Sequence, residues 1–278
     1  MSNSFPVRIR TFLVPLAGVA LYYFVQFAAL AICALIFQDE DSVSLVTDHY
    51  GSFIFITSVL MMACLFVWLF IFDRTYKNTI KRDIVPPGQL LISIPMALAM
   101  LGLINLYMIG IQTLSEYFPS IKDMLNEYIR NVSMPNTVRG FEAAGYYIGV
   151  GILVPVVEEI LFRGIILGEF LSTMKPNIAV FLSALIFGTM HMQPIQIGYA
   201  CICGVILGYV YLYSGSLVMP IAIHIIFNVL GGILPVAFAD RQDTLYILGI
   251  IEIIFIFVGV LCVLYLKKNY RNKMIREV

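Results

Sequence analysis

Glu158, Glu159 and Arg163 stand in the stretch PVVEEILFRG, flanked on both sides by almost uncharged apolar sequence. Farther along, His191 closes one apolar run, and His224 and Asn228 lie four residues apart in another. On a helix, residues at i and i+4 share a face. Glu159 and Arg163 can therefore pair, with the acid N-terminal in the better order for a helix ion pair, and His224 and Asn228 project together. Phe187 shares a face with His191. Glu158, rotated by about 100° from Glu159, is expected on another surface. A carboxylate without a partner in low dielectric is held toward its neutral form, which suits a general acid or base near neutral pH. One such carboxylate, two imidazoles and a carboxamide are an inventory for activating water and stabilising a developing negative charge.

These side chains are unusual because of what surrounds them. The chain is 60% hydrophobic and only 12% charged, with a mean hydropathy of +0.93. Soluble domains carry about 25% charge. Apolar runs long enough to cross a bilayer recur from end to end, and the first is too long for a signal-peptide core and lacks a small-residue cleavage site. The sequence predicts an all-α, polytopic membrane helix bundle of about eight transmembrane helices, over residues 11–37, 51–72, 89–114, 143–170, 177–192, 195–213, 217–235 and 244–266. Residues 1–278 read as a single integral-membrane domain, with the polar motifs confined to 143–235. Residues 115–142 break the pattern. Ile121, Met124, Leu125, Tyr128 and Ile129 recur there at helical spacing, which predicts a helix lying on the membrane surface.

Ionisable residues inside such helices cost about 2.5–3.5 kcal/mol each at a helix centre and mark functional sites by default. Interhelical polar contacts return only about 0.6 kcal/mol on average in a well-measured case, too little to account for this cluster as glue alone. Basic residues set the orientation. Arg8 and Arg10 precede the first run, Arg74, Lys77, Lys81 and Arg82 follow the second, and the C-terminal tail is basic, whereas the loop QDEDSVSLVTDHY has no Lys or Arg. Eight crossings with both termini cytoplasmic satisfy this. At 1.5 Å per residue, Glu158 and His191 then lie about 20 Å deep, Asn228 about 16 Å and His224 about 10 Å. They can meet in one layer.

Other residues carry less chemistry. The five cysteines, Cys33, Cys64, Cys201, Cys203 and Cys262, all fall in apolar runs and read as packing residues. His49 is a loop residue. Gly149, Gly151, Gly164 and Gly168 are positions for close helix packing. Pro155 and Pro220 are expected to kink their helices and free backbone groups beside a cavity.

Glu158-Glu159-x-x-Phe162-Arg163, then Phe187-x-x-x-His191, then His224-x-x-x-Asn228, resembles the three motifs of the CPBP family, also called Abi. Its members are intramembrane glutamate proteases that include CAAX-prenyl endopeptidases and bacterial bacteriocin-processing or self-immunity proteins. The likeness covers about residues 145–235; the first three runs show no motif. It implies peptide hydrolysis in the membrane without a cofactor and without a covalent acyl-enzyme. Glu158 would activate water together with His191, His224 and Asn228 would stabilise the oxyanion, and Glu159 and Arg163 would shape the site. The partners implied are the lipid bilayer and a peptide or membrane-protein substrate, in the plasma membrane if the host is bacterial. A sensor kinase or a peptide exporter would be a further partner, and no nucleic acid is expected.

Three other functions compete. A zinc hydrolase would use Glu158, His191 and His224 as ligands with water in the fourth position, although no HExxH pair is present. A non-catalytic scaffold, immunity protein or kinase regulator would keep the fold without its chemistry. A transporter would use the buried acids as a proton relay, but the sequence shows no inverted repeat.

Overall fold

The computed structural model describes residues 9–38, 42–71, 80, 83–133, 140–238 and 240–276. Arg8, Arg74, Lys77, Lys81 and Arg82, on which the expected orientation rests, lie outside the described residues, as do the side chains of the tail beyond Tyr270.

Helices build the whole of the described fold, and no β-strand occurs among the described residues. They are α1 (Ile9–Phe37), α2 (Ser42–Asp48), α3 (Tyr50–Ile71), α4 (Pro87–Ser115), α5 (Pro119–Ser133), α6 (residues 140–171), α7 (Pro176–Thr189), α8 (Pro194–Ser214), α9 (residues 218–237) and α10 (Gln242–Arg276). Five of them, α1, α3, α4, α8 and α10, are long and apolar enough to cross a membrane. Their outward faces carry Phe12, Phe24, Phe27, Phe66, Phe70, Phe257 and Leu261, all exposed. So much apolar surface is stable only against lipid. The protein is an integral, multi-pass membrane protein.

The apolar runs of the sequence reappear as these helices, with three differences. First, α7 spans 14 residues, or about 21 Å, less than the bilayer core. It stops because Pro194 opens α8, which holds Gln193 extended at ψ 120°, as a residue before proline must be. Met192 takes the left-handed conformation at φ 58° to close the helix end. His191 therefore sits in the turn, just beyond the helix. Second, α6 is not uniformly α-helical: Gly149–Leu153 and Ile160–Leu167 wind as π-helix. Third, Pro220 lies in the first turn of α9, which begins at Val218. Its missing N–H would have had no partner there, so it starts the helix and does not kink it.

Antiparallel pairing fixes which ends lie together. Arg10 on α1 reaches Glu169 at the end of α6, and α7 folds back on α8. Asp83, before α4, donates its N–H to Gly215 after α8. On α4 and α10, Gly102 packs against Glu252 and Ala99 against Gly259. The start of α1 and the end of α10 thus emerge on one side of the bundle. α3 approaches α6 most closely at Gly51, where an added Cβ would collide with the Glu142 carbonyl oxygen. Gly149 and Gly151 are also packing positions, against Ile54 and Ile233.

α5 forms where the spacing of its apolar residues predicts it, and docks by Leu125, which is buried, and by Tyr128, whose hydroxyl lies 3.4 Å from that of Tyr199 on α8. Met124 and Ile129 stay exposed. Burial in this contact raises the pKa of Tyr128 above the ordinary phenol range.

Candidate active site

The polar residues of α6 and α9 meet at one imidazole. His224 Nδ1 lies 2.8 Å from Glu159 Oε1, and its Nε2 lies 3.7 Å from Glu158 Oε2. A carboxylate only accepts hydrogen bonds, so Nδ1 carries the proton and Nε2 is turned toward Glu158. The two acids, expected on separate surfaces, flank the same ring. All three side chains are buried.

Glu159 also receives Arg163 Nη1 at 2.8 Å, across one helical turn. The arginine is 1% exposed. Its other contacts are the Gly204 carbonyl of α8, at 3.5 Å from Nη2, and the face of Phe187, 4.5 Å from guanidinium carbon to ring centroid. A buried charge this well surrounded is tolerable, because the carboxylate, the carbonyl and the ring each offset part of its desolvation. Oε2 of Glu159 is buried with no hydrogen-bond partner among the described residues.

Phe187 is the pivot of the cluster. Its ring meets Phe162, His191 and His224 edge-on, with centroids 5.0, 5.0 and 6.1 Å away. His191 Nδ1 lies 3.0 Å from the Phe187 carbonyl oxygen. A carbonyl cannot donate, so Nδ1 bears the hydrogen and Nε2 is left as an acceptor. The structure gathers Glu158, Glu159 and Phe187 around His224, with Arg163 joined through Glu159 and Phe187. His191 joins them through the Phe187 ring.

Asn228 is placed differently. Its Nδ2 donates to the Val150 carbonyl oxygen of α6 at 2.8 Å. The reason lies in Pro155. In the π-wound segment Val154 donates to Gly149, five residues back; in that register the next N–H would serve Val150. Residue 155 is a proline and has none. Asn228 supplies the missing donor. The expectation that Pro155 frees a backbone group is met, and the group it frees is held by a site residue.

Among the described residues no hydrogen bond reaches Glu158, and no group of three His, Cys, Asp or Glu side chains is placed to hold a metal ion. All five cysteines are free thiols.

Residues 140–230 match the family described as type II CAAX prenyl endopeptidase, Rce1-like. The matched segment, about a third of the chain, is similar to that family. A curated relative, the membrane-embedded CAAX protease MroQ of Staphylococcus aureus (strain USA300), is 35% identical over 89 residues, covering 28% of this chain and 34% of that protein. The chain thus aligns with about a third of the relative's length. No solved structure matches the chain. The matched segment takes in α6, α7, α8 and most of α9, and so contains every candidate site residue named in the sequence. α1, α3, α4 and α10 wrap it from outside the match.

Proposed function

We propose that this protein is an intramembrane endopeptidase that hydrolyses a peptide or a membrane-protein segment through water activated by Glu158. The observation that carries the reading is the His224 ring held between Glu159 and Glu158. Glu159 fixes the tautomer and Arg163 fixes Glu159, so Nε2 faces the Glu158 carboxylate in a site assembled in advance. Glu158 makes no hydrogen bond to a described residue and has its acceptor oxygens for water. His191, packed edge-on against Phe187, has Nε2 free to accept.

In the proposed reaction, water attacks the scissile carbonyl carbon while its proton passes to Glu158. The carbonyl π electrons become an oxyanion, to which Asn228 would donate, as would His224 Nε2 when the ring carries a proton on both nitrogens. Glu158 then returns the proton to the amide nitrogen as the C–N bond breaks. No metal takes part. The bundle crosses the bilayer eight times with both ends cytoplasmic, a reading supported by the emergence of α1 and α10 on one side, and α5 lies at the membrane surface.

The test is cleavage of a pool of quenched fluorescent peptides by the full chain in lipid nanodiscs. Glu158→Gln should abolish turnover while leaving the protein folded. Turnover should persist after chelation, with no stoichiometric zinc on metal analysis. Cleavage by the Gln variant would remove Glu158 as the base, and loss of activity on chelation with recovery on added zinc would favour the zinc hydrolase. If the inactive variant still complements a deletion of the gene, the biological output is scaffolding.

A further inference from the structure

α1 lies outside the matched segment and carries no motif, yet its register against α6 is fixed at several points. Arg10 Nε donates to Glu169 Oε2 at 2.8 Å, and the Thr11 and Thr173 hydroxyls lie 3.3 Å apart. Farther along, a Cβ on Gly18 would stand 3.0 Å from Leu161 Cδ1. The step from Arg10 to Gly18 on α1 is thus matched by the step from Glu169 back to Leu161 on α6. One more turn along each helix reaches Tyr22 on α1 and Val157 and Glu158 on α6. Packing agrees: Tyr22 lies against the core cluster that contains Val157, Leu161 and Phe162. Tyr22 is also within electrostatic range of Glu158, and Gln26, one turn on along the same face, hydrogen-bonds to its phenol.

Gly18, Tyr22 and Val25 form one stripe of α1, with the neighbouring positions toward lipid occupied by Phe24 and Phe27. A half-buried phenol on this stripe carries a polar group that needs a partner. Of the carboxylates near it, Glu158 is the one that no described hydrogen bond holds. A phenol, whose ordinary pKa is about 10, stays protonated at neutral pH and can donate.

We propose that Tyr22 is a positioning residue of the candidate site: its phenol, steadied by Gln26, stands beside the Glu158 carboxylate from α1, stabilises its ionised form and sets the direction in which it faces. This rests on the reading of Glu158 as the reactive acid. It makes α1 part of the site's wall, although the motif-bearing segment lies entirely elsewhere in the chain.

Two measurements on the full chain in nanodiscs test it. Dicyclohexylcarbodiimide modifies protonated carboxyl groups in apolar surroundings, and mass spectrometry reads its rate at each acid without any substrate. Glu252 on α10, bonded to Asn105 and remote from α1, is the internal reference. Tyr22→Phe should raise labelling of Glu158 several-fold relative to Glu252 at neutral pH, because the hydroxyl that stabilises the ionised form has been removed. On a peptide that the wild type cleaves, it should lower kcat roughly tenfold with KM little changed.

An unchanged labelling ratio, or equal gains at both acids from a general loosening, overturns the proposal. If the ratio shifts but Glu158→Gln still cleaves, the contact stands and the hydrolytic reading fails. If Glu158→Gln is inactive while Tyr22→Phe matches wild type in both assays, the reverse holds. The labelling result decides the contact even where no peptide in the pool is cleaved.

Discussion

Asn228 donates to the Val150 carbonyl, which Pro155, having no N–H, cannot serve in the widened turn of α6. This gives a side chain expected to act on an oxyanion a structural duty as well, and the two can be separated. Asn228→Ala should strand the Val150 oxygen and cost about 1–3 kcal/mol, the penalty for an unsatisfied polar group. Pro155→Ala, added to it, returns an N–H to that register. The double variant should regain much of the lost thermal stability in detergent without regaining peptide cleavage. Recovery of both would reduce Asn228 to a backbone tie.

Glu158 and Glu159 are neighbours in sequence and opposites in what they support. Glu159 holds two charged or chargeable partners at 2.8 Å, so Glu159→Gln leaves Arg163 buried without a counter-charge. Breaking a buried pair on one side typically costs about 3–5 kcal/mol. Glu158→Gln removes no described hydrogen bond and should leave the unfolding midpoint near that of wild type. Midpoints that fall equally for the two variants would contradict this division of labour.

That division was only half visible in the sequence. The i, i+4 spacing of Glu159 and Arg163 foretells their ion pair, and apolar runs foretell the long helices, because both depend on local periodicity. The π-wound turns, by contrast, depend on what packs outside the helix, and no local pattern announces them. Glu158 and Glu159 themselves lie in an α-helical turn and keep their separate directions; they meet at one imidazole because its two nitrogens face them separately. Pro220 is read as a kink because a proline in an apolar run cannot be told from one at a helix start without the true boundary. Tyr22 sits in ALYYFVQF, where nothing distinguishes a phenol facing a carboxylate from one facing lipid. Interhelical register carries that information, and a single sequence does not print it.

Phe187 holds both imidazoles by ring edges while its face carries the Arg163 guanidinium. Aromatic pairs of this kind contribute about 0.5–1.5 kcal/mol beyond area burial. Phe187→Leu keeps much of the apolar volume but removes the flat surface that orients three site residues. Cleavage should fall more than stability does, with kcat reduced and KM largely retained, since the loss lies in alignment. Phe187→Tyr keeps the ring but places a hydroxyl in the core and should cost stability more than the shape of the site. A Leu variant with wild-type kcat would show that the two histidines are positioned by other contacts.

Far from the cluster, the start of α6 caps the start of α3. Glu142 accepts the Ser52 N–H at 2.7 Å and also bonds the Ser52 hydroxyl, satisfying a donor in the first helical turn that no carbonyl can reach. Gly51 makes this possible by letting the two backbones touch. Removing the cap by Glu142→Ala should cost about 1 kcal/mol, within the range for lost N-caps. Gly51→Ala should cost more, about 1–3 kcal/mol, because the obstruction it meets is backbone and cannot rotate away. The shift should reach the site, since α3 also packs beside the π-wound segment that carries Val150 and leads to Glu158. Carbodiimide labelling of Glu158 is therefore expected to rise in Gly51→Ala and to stay near wild type in Glu142→Ala. Equal labelling in both would mean that α3 acts only as a buttress of the fold.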